Sequence, residues 1–448
     1  MGGDMLNAMK YISTVPFSGL FNWSVQYLND SKIAFSKAYP MMRIGEFLKR
    51  NKTAITIQDG VKYKRVTIKV RNGGIFLRDE EIGSKIGTKN QFLISKGQFL
   101  LSKIDARNGA FGVVPEVLDG GIITGNFWTF DVDYSIINPH YLALLTTTDA
   151  FIQFCEQASN GTTNRHYLQE PLFLNIKVPV PSLDEQNKLV EEYNKVIAKA
   201  EALVKECQEI DLSILRYFNK SVGLKQSTRQ VKLLSTMRYA DISNRWDPFA
   251  VTNGLSANVP IYPLGSFITD IATGTTPPTS KKEYFNGNIK FYTPSDISGR
   301  LYLANSERAL TKKAIEDKKA RVFHKGDILF VGIGSTVGKV GIVHDEIVSS
   351  NQQITGFKLN TDLLYPEYAF YYLHYHKELA TAEHSKTTLP IVNQEKIANI
   401  PIPVPTISQQ REMVGHMNHM REKIDVLYNQ SIECGRKALK KFETQIFE

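Results

Sequence analysis

One segment, residues 182–218, constrains the fold more than any other, because it predicts a single long helix in a chain otherwise made of short segments. Ser182 and Glu185 have the spacing of a capping box, in which each side chain satisfies a backbone N–H of the first turn. Apolar residues then recur at alternating intervals of four and three, which is typical of a coiled-coil seam. A helix with such a seam needs a partner to cover it. The seam includes Leu189, Tyr193, Val196, Leu203 and Ile210.

The chain supplies a partner, because the same pattern recurs half of the 448-residue length further on. Thr406 and Gln409 form a second capping box. Seven of the nine equivalent seam positions are again apolar, so we predict that two long helices pack through their seams. The second seam includes Met413, Met417, Met420, Ile424 and Leu427.

The sequence that precedes each helix is also duplicated, which indicates an internal repeat. Four short patterns recur in the same order before each helix, so chance is a poor explanation. The pairs are 43–47 with 263–267, 96–100 with 325–329, 138–141 with 365–368, and 178–181 with 402–405.

The segments between these landmarks predict two α+β domains. Short runs rich in β-branched and aromatic residues are typical of strands, and we predict them at 61–70, 91–94, 98–101, 121–130, 327–331, 340–343 and 354–359. Helices are predicted at 139–157, 310–319 and 366–379. We therefore divide the chain into a first domain (1–181), a first helix (182–222), a connector (223–260), a second domain (261–405) and a second helix (406–448).

Composition predicts a cytoplasmic protein. The sequence contains no apolar run of the length that spans a bilayer, and its first residues lack the pattern of a secretion signal. Cys155, Cys207 and Cys434 have no metal-ligand spacing. A reducing compartment and no membrane association are therefore expected.

Positive charge is unevenly distributed in both repeats. The net charge is +9, and residues 43–107 and 281–325 are basic whereas residues 108–187 and 326–410 are acidic. Such segregation is what an electrostatic footprint for phosphates would produce.

Motifs for catalysis or metal binding fail on closer inspection. Residues 332–339 suggest a phosphate-binding loop, but the hydroxyl residue that should follow Lys339 is replaced by Val340, so a tight glycine-rich turn between strands is predicted instead. The histidine pairs at 374/376 and 416/419 lack a carboxylate or cysteine partner at zinc spacing. We expect no catalytic residues and no metal, and this favours binding over catalysis.

The duplicated motifs resemble those of the specificity subunit of type I restriction-modification systems. The resemblance covers nearly the whole chain, although residues 104–112 match their second-unit counterpart only loosely. It is carried by 177–186 and 400–410, by 161–163 and 386–388, and by 334–341.

The resemblance implies that each α+β unit is a target recognition domain that reads one half of a split, asymmetric DNA sequence. The two long helices would pack antiparallel as a spacer. It further implies two methyltransferase subunits that use S-adenosylmethionine to methylate adenine, and a motor-nuclease subunit that uses ATP and Mg²⁺. This chain would hold no cofactor and have no turnover of its own.

In this interpretation, lysines and arginines of the two basic segments contact DNA phosphates, and Arg, Asn or Gln side chains read bases. The candidates are Lys62, Lys64, Arg65, Lys69, Arg71, Lys85, Lys89 and Arg107 in the first unit, and Lys281, Lys282, Lys290, Arg300, Lys312, Lys313 and Lys318 in the second. Alternatives are the specificity subunit of a fused nuclease-methyltransferase (type IIB-like) system, a stand-alone nuclease, and a two-headed repressor.

Overall fold

The computed structural model describes residues 39–71, 73–157, 159–160, 167–226, 255–381 and 391–447. They form two compact units: the first contains the described residues up to Leu203 and from Asn429 onward, and the second contains those from Val204 to Tyr428. The motif segments 161–163 and 386–388 lie outside the described residues. The described α-helices are α1 (Ile44–Phe47), α2 (Pro139–Leu145), α3 (Asp149–Gln157), α4 (Glu170–Asn175), α5 (Leu183–Val222), α6 (Lys312–Glu316), α7 (Pro366–Tyr375), α8 (Lys377–Thr381), α9 (Gln394–Ala398) and α10 (Ile407–Phe447).

The first unit contains two principal sheets. Its strands are β1 (Met41–Arg43), β2 (Leu48–Asn51), β3 (Ala54–Thr56), β4 (Lys62–Ile68), β5 (Ile75–Ile82), β6 (Asn90–Leu93), β7 (Phe99–Ser102), β8 (Phe111–Val113), β9 (Ile122–Ile123), β10 (Phe127–Val132), β11 (Ser159–Asn160), β12 (Tyr167–Leu168) and β13 (Lys177–Pro179). One sheet has the order β2-β10-β7-β8 and the other β3-β6-β9-β4-β5, while β1 pairs with β13 and β11 with β12.

The second unit is built in the same way. Its strands are β14 (Lys225–Gln226), β15 (Leu255–Ser256), β16 (Ile261–Pro263), β17 (Ile268–Thr273), β18 (Phe285–Tyr292), β19 (Arg308–Leu310), β20 (Val322–His324), β21 (Ile328–Val331), β22 (Val340–Ile342), β23 (Ile347–Ser350), β24 (Ile354–Leu359) and β25 (Pro401–Pro403). The sheets are β17-β24-β21-β22 and β19-β18-β23-β20, and β16 pairs with β25 as β14 does with β15.

The sheet orders confirm the repeat. Strand β10 lies between β2 and β7 in the first unit, and β24 lies between β17 and β21 in the second. Each second sheet contains one parallel pair, β4 with β9 and β18 with β23. Strand β3 has no counterpart among the described strands of the second unit, so it is an addition to the shared plan.

The long helices were predicted correctly, and in each unit their segments run antiparallel. In the first unit Lys441 donates to Glu192 at 2.8 Å. In the second unit Asp211 pairs with Arg421 at 3.5 Å, and the ring of Tyr217 lies 4.3 Å from that of His416. Increasing residue numbers in α5 thus meet decreasing numbers in α10.

Of the two predicted capping boxes, the second forms completely and the first forms in part. The Thr406 N–H donates to Gln409 Oε1 at 3.1 Å and the Gln409 N–H donates to Thr406 Oγ1 at 3.4 Å, which completes a capping box. At the first helix, the Glu185 N–H donates to Ser182 Oγ at 3.4 Å.

The helix seams are buried to different degrees. Leu189, Met413 and Met417 are buried and belong to the cores of their units. The other predicted seam residues are half-buried, so water reaches part of the seam; they are Tyr193, Val196, Leu203, Ile210, Met420, Ile424 and Leu427.

The prediction of a single strand over 121–130 was wrong. The segment forms β9 and β10, which belong to different sheets, and the Phe127 N–H donates to Thr124 O at 3.0 Å in the turn between them. Gly125 and Asn126 are turn-forming residues inside an otherwise apolar run. The chain therefore changes sheets where the pattern alone suggested continuity.

The prediction of one helix over 139–157 was also wrong, because the segment forms α2 and α3. The hydroxyl groups of Thr146, Thr147 and Thr148 donate to the carbonyls of Ala143, Leu144 and Leu145 at 2.6–2.8 Å. These bonds satisfy carbonyls at the end of α2 and so favour its termination.

Two second-unit helices are likewise shorter than predicted. Helix α6 covers only Lys312–Glu316, because Leu310 belongs to a strand, and the predicted helix at 366–379 is divided into α7 and α8 at His376. The His376 ring bonds Tyr372 O at 3.1 Å and Asn219 Oδ1 at 2.8 Å, which fixes this residue at the break.

Candidate nucleic-acid interface

The predicted cations of the first unit are concentrated on the β4–β5 hairpin, where carboxylates face several of them. Arg65 donates Nε and Nη2 to the two carboxylate oxygens of Asp79 at 2.5 and 2.7 Å. Lys62 pairs with Glu80 at 2.6 Å. The hydrogen bonds from Arg65 and Lys62 lower the pKa of Asp79 and Glu80 below their ordinary values. The hairpin therefore carries cross-strand ion pairs and not a uniformly basic face.

Other cations on this surface make weaker or neutral contacts. Lys64 donates Nζ to the Val117 carbonyl at 3.1 Å, and Lys69 Nζ lies 4.8 Å from the centre of the Phe76 ring. Arg71 is exposed and has a positive φ of 56° in the turn between β4 and β5. Arg107 is half-buried in the loop between β7 and β8.

The second unit repeats this mixture of paired and exposed cations. Lys290 pairs with Asp345 at 2.9 Å, and Lys313 pairs with Glu283 at 3.0 Å. The hydrogen bond to Glu283 raises the pKa of Lys313. Lys281 Nζ lies 5.7 Å from the centre of the Tyr284 ring. The remaining candidates are exposed: Lys282, Arg300, Lys312 and Lys318.

The ion pairs are the feature that composition could not predict. The candidates paired with a carboxylate are Lys62, Arg65, Lys85, Lys89, Lys290 and Lys313. The pairs whose cation is exposed contribute little to stability, so a phosphate could replace the carboxylate there at small cost. They are Lys62 with Glu80, Lys85 with Glu81, Lys89 with Asp59, and Lys313 with Glu283. Whether any of the fifteen residues contacts DNA stays a prediction.

A glycine-rich turn joins β21 to β22, as predicted in place of a phosphate-binding loop. Gly334 and Gly338 have positive φ values of 113° and 89°, and the Gly338 N–H donates to Val331 O at 3.0 Å. The loop between β7 and β8 is its equivalent, with Gly109 at φ 74° in the position of Gly338. The loose sequence match at 104–112 therefore hides a shared backbone turn.

Beside this turn, the second unit forms a polar cleft of about 410 Å³. Amide and hydroxyl side chains dominate its lining, which includes Ser335, Thr336, Asn351 and Gln353. Asn and Gln were predicted from the sequence as residue types for base reading, but none of these positions was identified there. An alignment of the two repeats could have pointed to these positions, because the chain passes from one sheet to the other at the same place in each unit.

A larger cleft of about 800 Å³ in the same unit is lined by basic side chains and by one buried aspartate. Lys318 and Lys358 line it together with Asp327, whose side chain is buried. Asp327 Oδ2 accepts the His324 N–H at 2.8 Å, whereas Oδ1 has no hydrogen-bond partner among the described residues. Burial raises the pKa of this carboxyl group.

Three of the histidines named in the sequence, His374, His376 and His416, lie in the core or against neighbouring rings, whereas His419 is exposed. His374 stacks on Phe370 with the ring centres 5.4 Å apart, and burial lowers its pKa to about 4. Within the described ranges, no three His, Cys, Asp or Glu side chains are grouped so that they could hold a metal ion. Within the same ranges, no helix has both the length and the apolar content to cross a bilayer.

Comparison with known proteins shows the family. The type I restriction modification DNA specificity domain matches twice, over residues 37–230 and 262–433, which is most of the chain. The protein therefore belongs to the type I restriction-modification DNA specificity family, in a form with two copies of the domain.

Individual relatives share less than a third of their aligned residues with this chain. The specificity subunit of the type I restriction enzyme MjaIX from Methanocaldococcus jannaschii is 28% identical over 185 residues, which cover 39% of this chain and 41% of that protein. The HindI specificity subunit from Haemophilus influenzae is 22% identical over 306 residues, covering 58% and 66%. Each match thus spans less than two thirds of the relative.

Solved structures with similarity to this chain include a chain from a study of type I R-M complex assembly, with 18% identity, a TM-score of 0.48 and coverage of 92% and 97%. The HsdS subunit from Thermoanaerobacter tengcongensis has 17% identity and a TM-score of 0.35, with coverage of 91% and 95%.

Proposed function

We propose that this chain is the DNA sequence-recognition subunit of a type I restriction-modification complex, in which each α+β unit reads one half of a split, asymmetric target. The observation that carries the proposal is the duplication itself. Both units have the same order of strands β2-β10-β7-β8 and β17-β24-β21-β22, and both have a glycine turn joining the last two. A duplicated binding domain suits a target with two half-sites.

Catalysis in this proposal belongs to partner subunits. Two methyltransferase subunits would bind S-adenosylmethionine and methylate adenine, and a motor-nuclease subunit would use ATP and Mg²⁺ to restrict unmethylated DNA. This chain would contribute DNA recognition without turnover, and the complex would work in the cytoplasm. The basic segments of both units support contact with the DNA backbone, because lysine and arginine neutralise phosphates.

The experiment that tests the proposal is co-purification with the methyltransferase encoded beside this gene. DNA exposed to the complex is then sequenced for N6-methyladenine. We expect methylation at one split motif, and its loss when this chain is omitted.

Three outcomes would contradict the proposal. A well-folded chain that forms no complex and directs no motif would indicate a stand-alone DNA-binding protein. Metal-dependent DNA cleavage by the purified chain alone would indicate an enzyme. A partner in which nuclease and methyltransferase share one polypeptide would assign the chain to the fused type of system.

A further inference from the structure

The polar cleft beside the glycine turn of the second unit differs in chemistry from the basic surface. Among the described residues that line it, Glu307 and Arg308 are the charged ones, and their charges are opposite. The remaining polar groups are hydroxyls and amides, including those of Ser295, Ser335 and Thr336. Hydrogen-bonding groups without excess positive charge suit the edge of a base better than a phosphate, which attracts cations.

Asn351 determines which way the amide of Gln353 faces. The Gln353 backbone N–H donates to Asn351 Oδ1 at 3.1 Å. A backbone N–H can only donate, so the other amide atom of Asn351 is the nitrogen Nδ2. That nitrogen donates to Gln353 Oε1 at 3.0 Å. The amide plane of Gln353 is therefore preset before any ligand binds.

Gln353 Nε2 is the second amide atom, and it lies towards Gly334. A Cβ atom built on Gly334 would be 3.6 Å from Nε2. The glycine thus leaves space beside the amide that a larger side chain would occupy. Gln353 can present two N–H donors there, together with the second lone pair of Oε1.

The first unit places an amide at the equivalent position. The Lys103 N–H donates to Asn126 O at 3.0 Å, just as the Gly332 N–H donates to Gln353 O at 2.8 Å. Asn126 is exposed. The residue before β10 and the residue before β24 are therefore both amides, in the turn where the chain changes sheets.

An amide that donates through nitrogen and accepts through oxygen matches the major-groove edge of adenine, whose N7 accepts and whose N6 amino group donates. We propose that Gln353 is a base-reading residue of the second unit and that it selects an adenine in the half-site read by that unit. The inference rests on the proposed function, because it assumes that this unit binds a DNA half-site. Asn351 then acts as a positioning residue that holds the reading amide.

The test uses the complex of the full chain with its methyltransferase partner. The wild-type motif is first defined by sequencing N6-methyladenine, and methylation is then measured on oligonucleotides that carry each base at each position of the motif. Gln353→Ala should reduce discrimination for adenine at one position of one half-site by roughly 5- to 150-fold, which is the range for one bidentate base contact. Every other position should keep its preference.

Two further variants make the result specific. Gln353→Glu keeps an oxygen for the bond from Asn351 but removes the donors, so the preference at that position should move from adenine towards cytosine. Gln352→Ala is the matched control, because Gln352 Oε1 accepts from the Thr276 hydroxyl at 2.6 Å and the residue is not part of the cleft lining. It should leave the motif unchanged.

The outcomes separate this inference from the proposed function. A wild-type complex that methylates no defined motif would contradict the proposed function. If the wild-type motif is normal but Gln353→Ala and Gln353→Glu leave base discrimination unchanged, the inference about Gln353 is overturned and the proposed function still holds. Equal relaxation by Gln352→Ala would also overturn it, since that side chain lies outside the cleft.

Discussion

Gln186 accepts a hydrogen bond from the backbone N–H of Asn138 at 2.7 Å, and this bond ties the first turn of α5 to the start of α2. The Gln186 side chain is fully buried and also donates Nε2 to Ile136 O and Pro181 O, at 3.0 and 2.8 Å. The second unit repeats the arrangement, with Gln410 accepting from the Tyr365 N–H at 2.8 Å. Each long helix is thus joined to its unit by one buried amide.

Gln186→Ala should therefore lower the free energy of unfolding by about 3 kcal/mol, because buried backbone groups left unpaired cost about 1–3 kcal/mol each. Urea denaturation followed by circular dichroism measures the loss. Asn187→Ala is the control, since Asn187 accepts from the Asn138 side chain at 2.7 Å in an exposed position and should cost under about 1 kcal/mol. Equal losses in the two variants would refute the role of the buried amide.

Burial along α5 predicts that charge is tolerated unequally. Ile214 is fully buried in the core of the second unit, whereas Leu203 is half-buried. Ile214→Asp should cost about 4 kcal/mol or prevent folding, because it buries an unpaired carboxylate. Leu203→Asp should cost about 1–2 kcal/mol, since water reaches that position. Thermal and urea denaturation of both variants compare the losses, and a larger loss for Leu203→Asp would contradict this reading of the helix.

Lys64→Ala should weaken binding to all DNA sequences alike and reduce the slope of log K against log salt concentration by about 0.9, the value for one phosphate contact. Titration of the complex with labelled duplexes at several salt concentrations gives the slope. Lys195→Ala is the control, because Lys195 lies on α5 and pairs with Glu191 at 3.0 Å. An unchanged slope in Lys64→Ala would remove Lys64 from the candidates.

Asp327→Asn should raise the free energy of unfolding at pH 7 by about 1 kcal/mol, because it removes a buried charge whose Oδ1 lacks a described partner. Burial raises the folded-state pKa of Asp327 above its ordinary value of 3.8. The folded state therefore holds the proton more tightly, and ionisation destabilises it as pH rises through the folded pKa.

The gain from Asp327→Asn should accordingly be present at neutral pH and diminish as pH falls towards the unfolded pKa. Urea denaturation at a series of pH values measures it. A variant that is less stable than the wild type at pH 7 would show that the carboxylate is stabilising where it lies.

The equivalent position in the first unit shows how the repeats diverged. Gln98 occupies the place of Asp327, and its Nε2 donates to Asp131 Oδ1 at 2.6 Å. In the second unit Lys358 occupies the position of Asp131. The carboxylate of this neighbouring pair therefore lies at the Asp131 position in the first unit and at the Asp327 position in the second. Sequence comparison shows the exchange, but only the strand register shows that the two positions are neighbours.

The sequence by itself determined the two long helices, their caps and the duplication. These features depend on local spacing: a heptad seam and a capping box specify a helix wherever the chain places it. The glycine turn before Val340 was predictable for the same reason. The family followed from the order and repetition of the motifs.

Tertiary structure decided the features that depend on which distant segments meet. The apolar run 121–130 was divided between two sheets because β9 and β10 have different partners. Cations such as Lys62 and Arg65 were paired with carboxylates of a neighbouring strand, so charge counted along the chain overstated the basic face. Gln353 became a candidate for base reading only when Asn351 fixed its amide beside Gly334. Strand pairing and hydrogen-bond direction are set by the folded chain, and residue spacing does not encode them.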